Sequence, residues 1–274
     1  MADYKANALM LASKDGHADR VELLLLTHEP VEQVKAAVDF SGVTALMLAS
    51  MNGHTSCVEL LLAHAPEAQV KATAKYGLTA LMLASENGHA SCVELLLAHV
   101  PEEQVKVASD QGSTALMFAS HNSRLRCMEL LLAHAPEAQV KATNNVNCTA
   151  LMFASNNGQT GCVELLLAHA PQEQVNATNN DGFTALMHAA VGVAQCHEEA
   201  VGNGIVQCPL GAVSDRTECI RILLAYDSPL PTNAGILAKI WPVVTDSARH
   251  VRVPTLFNQA IAHCVHQVVQ QRHA

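Results

Sequence analysis

The apolar positions of this chain fall into one short pattern that returns along most of its length. In GVTALMLASMNGHTSCVELLLAHAPEAQVKAT, residues 42–73, Leu46, Leu48 and Ala49 make an apolar stripe at helical spacing. Thr44 precedes them as an N-cap whose hydroxyl accepts from the first-turn amides. These positions predict a short helix over 45–52, ended by Gly53 because glycine takes a left-handed backbone without penalty. Thr55 or Ser56 starts a second helix in which Cys57, Val58, Leu60, Leu61 and Leu62 are apolar and Glu59 marks the solvated face. Pro66 begins a tight turn after His64, and an extended loop runs through Tyr76-Gly77 to the next cap. The triplet Ala-Leu-Met starts at Ala8, Ala45, Ala80, Ala115, Ala150 and Ala185, a spacing of 37 and thereafter 35 residues. A helix–loop–helix–turn unit buries one face only against its neighbours, so it is stable only as a stack of copies.

The sixth copy is interrupted. Cys57, Cys92, Cys127 and Cys162 each follow their unit's alanine by 12 residues, but Cys219 stands 22 residues beyond its expected place. The insertion covers about 191–213, and the second helix is expected to resume near Ser214. After Tyr226 the pattern stops, which divides the chain into a repeat array over 1–226 and a remainder over 227–274. Leu256, Phe257, Ile261, Cys264, Val265 and Val268 lie at helical spacing in that remainder. A divergent helix pair over 233–272 that caps the stack is expected there, the alternative being a fragment of a larger downstream domain.

The motifs resemble the ankyrin repeat family. Its T-P-L-H-x-A-A appears as Thr44 to Ser50, and its G-H-x-x-V-V-x-L-L-L as Gly53 to Leu62. The resemblance covers about residues 4–226 in six units. It implies an all-α solenoid of stacked helix-loop-helix repeats with hairpin-like loops. Three departures stand out. Methionine replaces the motif histidine at Met10, Met47, Met82, Met117, Met152 and Met187, so side-chain volume takes over from the family's histidine-to-threonine hydrogen bonding. Alanine replaces proline at the first helical position. The unit is longer than the family's usual length of about 33 residues, with the excess around Pro-Glu in HAPEAQV, so a longer turn is expected after the second helix.

The family resemblance also implies a concave face, built from loop tips and first helices, that binds a protein or peptide. Residues there vary between otherwise near-identical copies. The candidates are Tyr4, Phe40, Tyr76, Leu78, Val146 and Phe183 at loop tips, and Met51, Glu86, His121 and Asn156 at first-helix ends. Exposed aromatics point to a partner because they are costly on a bare surface, the alternative being that the tips pack on one another. Arg124 joins the candidates because HNSRLRC places two arginines in an acidic chain, where arginine favours interface ion pairs. Drift at a solvent-facing turn is the preferred account of it.

Composition narrows the classes. A net charge of −9 and 3% aromatic content argue against nucleic-acid binding, which needs clustered cations and stacking platforms. No apolar run is long enough to cross a bilayer, and no secretory leader is read at the N-terminus. Five of the nine cysteines recur at one repeat position, as small core hydrophobes in a reducing, cytoplasmic setting. The near-identical copies also admit a bacterial effector acting in a host cytosol. Most of the 15 histidines are repeat-phased in two ladders, at the start and at the end of the second helix, and a ladder with one histidine per unit does not converge on an ion. The insertion holds the metal candidates Cys196, His197 and Cys208, without a paired CxxC. No nucleophile–base pair, paired carboxylates or phosphate loop is found. The expectation is a monomeric, non-catalytic interaction scaffold without cofactors, set against a metal-binding or enzymatic role centred on the insertion and the C-terminal cap.

Overall fold

The computed structural model describes residues 2–26, 42–64, 69–99, 101–192 and 210–226. These residues are helices joined by turns and loops, and Ala108 and Thr114 form an isolated antiparallel bridge. The chain divides into two compact units, Met1–Asn145 and Val146–Ala274.

In the first unit α1 (Ala2–Asp15) and α2 (Ala18–Leu26) are followed by the pairs α3 (Ala45–Asn52) and α4 (Thr55–Leu62), and α5 (Ala80–Asn87) and α6 (Ala90–Leu97). After the short α7 (Pro101–Gln104) come α8 (Ala115–His121) and α9 (Leu125–Leu132), then α10 (Pro136–Lys141). Helices α1, α3, α5 and α8 pack in that order as one row, and α2, α4, α6 and α9 as a second. In the second unit α11 (Ala150–Asn156) packs on α12 (Thr160–Leu167), which is followed by α13 (Pro171–Asn176) and by α14 over 185–192. Helix α15 (Leu210–Ala225) packs on both α11 and α12.

The local causes are those the pattern contains. The hydroxyls of Thr44, Thr79 and Thr149 accept from the backbone N–H of Met47, Met82 and Met152 at 3.3, 3.2 and 3.3 Å. Behind each cap the Ala-Leu-Met triplet is buried, and the methionine sits at the motif's histidine place in the core. The second helices bury Cys57, Val58, Leu61 and Leu62 and their repeats. Withdrawing a leucine such as Leu61 from water contributes about 2 kcal/mol. The cysteines Cys57, Cys92, Cys127, Cys162 and Cys219 are buried within this core, and Glu59, Glu94, Glu129 and Glu164 are exposed.

Two places differ in detail from the sequence pattern. The lengthened turn after the second helix is itself helical: α7, α10 and α13 each begin at a proline and form one short helix. Within it Gln69, Gln104, Gln139 and Gln174 are buried. The amide Nε2 of Gln139 donates to the carbonyls of Leu131 and His134 at 2.5 Å. Gln174 likewise donates to Leu166 at 2.6 Å and to His169, and Gln69 to Leu61 and His64. The glutamine thus satisfies carbonyls that the end of the second helix leaves without helical partners. In the sixth repeat α14 reaches residue 192 and α15 starts at Leu210, four residues before Ser214. Residues 193–209 of the insertion, and 227–274 with the expected helix pair over 233–272, lie outside the described residues.

Candidate interaction surface

Within each unit successive repeats are linked at the helices and at the loop tips, and both links bear on the predicted site residues. The first lies between the helices. At the third position before the recurrent cysteine, a long polar side chain reaches back to a carbonyl at the end of the preceding first helix. His54 Nε2 donates to Lys14 O at 2.9 Å and His89 Nε2 to Met51 O at 3.0 Å. Arg124 Nε donates to Glu86 O at 3.1 Å and Arg216 Nε to Asn156 O at 2.9 Å. These carbonyls belong to the last helical turn, which has no internal donors. Gly53, at φ 75°, lies against the His89 ring, where a Cβ would stand 2.7 Å from Cε1. Glycine is required there both by the left-handed backbone and by the ring.

Arg124 is therefore the arginine form of the repeat-phased histidine, and its guanidinium holds two repeats together. Arg126 pairs along its own helix with Glu129 at 2.8 Å, both side chains exposed, so the pair adds little stability. The preceding Ser123 fills the glycine position with φ 60°.

The second fastening lies at the loop tips. Asp110 N donates to Tyr76 O at 2.9 Å and Asn145 N to Gln111 O at 3.0 Å. In the second unit Asn180 N donates to Val146 O at 3.0 Å. Each tip is closed internally as well: Ala74 N donates to Leu78 O at 2.8 Å, Ser109 N to Ser113 O at 2.9 Å, and Asn179 N to Phe183 O at 3.0 Å.

The first unit holds six of the expected binding residues. Tyr76 is 58% exposed on a left-handed backbone, φ 67°, with Lys75 Nζ 4.9 Å from its ring centre. Leu78 is half-buried, as are Met51 and Glu86, while His121 and Arg124 are exposed. The second unit holds Val146, exposed, and Asn156 and Phe183, half-buried. Phe183 is not a bare tip aromatic: its ring lies 5.9 Å from the His188 ring, and Asn179 Oδ1 accepts from its N–H at 2.8 Å. Tyr4 falls within α1 rather than at a loop tip, because α1 continues upstream where the other repeats have a loop. The side chain of Tyr4, and Phe40 altogether, lie outside the described residues.

His188 occupies the place held by Leu48, Leu83, Phe118 and Phe153 in the other repeats. Asn179 Nδ2 lies 3.4 Å from its Nε2 and donates to the neutral ring. Burial pushes the His188 pKa down, partly opposed by Asp181. Burial also raises the thiols, that of Cys127 to about 11 and that of Cys219 to about 12. Such thiols pack rather than react.

Among the described residues no group of three or more His, Cys, Asp or Glu is placed to hold a metal ion. The metal candidates Cys196, His197 and Cys208 lie outside those residues. No helix of the described residues is long and apolar enough to cross a membrane.

None of the curated proteins compared with the chain matches it. A family model described as ankyrin repeats matches it in three copies, over residues 2–74, 65–144 and 136–202. Those matches span most of the chain and follow the capped first helices, the buried methionine column and the stacked rows of the fold. The chain belongs to the ankyrin repeat family.

Proposed function

We propose that the chain is a non-catalytic scaffold that binds a protein or peptide on the concave face, across the loop tips and first-helix ends. Ankyrin repeats are in general protein–protein interaction modules and are typically non-enzymatic. The observation that carries the reading is Tyr76. An aromatic side chain is held out to solvent on a left-handed backbone that costs a non-glycine residue about 1 kcal/mol, at a position where Gln111 and Val146 stand in the following repeats without that backbone. Strain retained at an exposed aromatic is characteristic of a contact surface. Met51, Glu86 and His121 supply a varied flank on the same unit, as an interface with one specific partner requires. The buried free thiols support a reducing, cytoplasmic setting.

A peptide-display selection against the whole chain tests the reading. Selected ligands are expected to lose about tenfold or more in affinity for Tyr76→Ala, the loss typical of an interface anchor. The variant keeps its fold, since the tip is closed by backbone hydrogen bonds that do not involve the ring. Undiminished binding of all selected ligands to Tyr76→Ala removes the proposed face.

A further inference from the structure

We infer that the exposed face of α1 and α2 is a self-association surface that takes a second copy of this chain about a two-fold axis. Leu11, Leu23 and Leu26 are exposed at 57%, 61% and 74%. Leu11 and Leu23, with Ala8, Ala12 and Leu24, line a groove of about 380 Å³ between the two helices. A concentration of exposed leucines on one face of a folded unit marks an interaction site.

The other repeats show what this face is for. Leu48 and Leu60, the counterparts of Leu11 and Leu23, are half-buried, and Leu61, the counterpart of Leu24, is fully buried. Leu83 and Leu95 are also half-buried, as are Phe118 and Leu130. The second, third and fourth repeats each have a preceding repeat packed on them, α1 and α2 on α3 and α4 in the first case. The groove is thus the receiving face by which the second, third and fourth repeats accept their neighbours, and in the first repeat it is exposed. Its backbone also differs from that of an internal repeat. Where an internal repeat has a loop tip and a threonine cap ahead of its Ala-Leu-Met triplet, the backbone ahead of Ala8 is helical from Ala2. Helix stands here in place of the loop tip.

The charges select a second copy as the occupant. Asp15 and Arg20 both line the groove, both are exposed, and neither makes an ion pair among the described residues. An apolar floor edged by one charge of each sign is complementary to itself. Under two-fold rotation, Asp15 of each copy meets Arg20 of the other while the leucines close on leucines. This pairing departs from the monomer expected of the sequence.

Sedimentation equilibrium of the full 274-residue chain is the test. The wild type is expected to show a mass twice its 29.1 kDa, falling to the single mass on dilution. Leu23→Asp, at an exposed position, weakens association by about tenfold or more, because a carboxylate would be buried against leucine, and leaves the melting temperature unchanged at dilutions where both proteins are single chains. Asp15→Arg also weakens it by placing like charges together, and the double swap Asp15→Arg/Arg20→Asp restores wild-type association. A mass of 29.1 kDa up to the solubility limit overturns the proposal. So does a dimer indifferent to Leu23→Asp, or a double swap that associates no better than Asp15→Arg alone.

Discussion

Replacing Gly53 by alanine separates two demands on one atom. The backbone at Gly53 has φ 75°, where a Cβ costs about 1–2 kcal/mol. The added methyl would also stand 2.7 Å from Cε1 and 2.9 Å from Cγ of His89. The ring would have to turn away, and its 3.0 Å hydrogen bond to Met51 O would be lost, worth about 1 kcal/mol. Gly53→Ala is therefore expected to cost about 2–3 kcal/mol, summed from those two effects. Urea unfolding followed by circular dichroism reads it as a lower midpoint. The two parts come apart in a double-mutant cycle with His89→Ala, which removes both the ring and its bond. In that background Gly53→Ala retains only the backbone cost, so the pair couples by about 1 kcal/mol. Simple additivity of the two substitutions, or a cost for Gly53→Ala below about 0.5 kcal/mol, would refute the account of the glycine as a seat for the next repeat's side chain.

Ser123 occupies the same slot at φ 60°; Ser123→Gly relieves the backbone and is expected to raise stability by about 1 kcal/mol in the same denaturation assay. Gln139→Ala removes the donor to Leu131 and His134 carbonyls and with it a buried Oε1 that has no partner in the fold; the net loss is about 2 kcal/mol, with lowered amide-exchange protection at the end of α9 as its local signature. His188 makes the second unit acid-sensitive. Its folded pKa lies below the ordinary 6.5, so the unfolded chain takes the proton first as pH falls. The stability it contributes is complete above that value and is lost as pH drops from it towards the folded pKa. Unfolding midpoints at pH 7 and pH 5 measure the loss, and His188→Phe, restoring the ring found at Phe153, is expected to shrink it.

The features legible in the sequence are those that recur in phase and depend on one residue type for one reason. Threonine before an apolar stripe caps a helix, and glycine after it ends one. Methionine in the place of a motif histidine could be assigned to the core because its neighbours in the repeat were apolar. Gln69, Gln104, Gln139 and Gln174 recur just as strictly but pass unnoticed. A glutamine next to proline and glutamate reads as turn surface, and only the fold shows that its amide turns inward to the carbonyls of the helix before it. Their fixed place one residue ahead of a valine was the signal available. Arg124 misleads for the opposite reason. Against an acidic composition it stands out as a candidate contact, whereas its phase, three residues before Cys127 like His89 before Cys92, gives its structural place. The candidate surface was legible as variability and not as geometry. Variation alone does not separate Tyr76, turned to solvent, from Phe183, whose ring is tilted against His188.

The backbone bonds between successive loop tips have a consequence for how such a surface changes. The positions that anchor one tip to the next, Tyr76, Gln111 and Val146, do so through their carbonyls, and a carbonyl is common to every amino acid. An aromatic, an amide and an aliphatic side chain already stand at residues that accept this bond, Tyr76 doing so from a left-handed backbone. Recognition at these positions is thereby uncoupled from folding. A new partner can be met by exchanging the side chain at a tip while the hydrogen bond that orders the tip stays as it was.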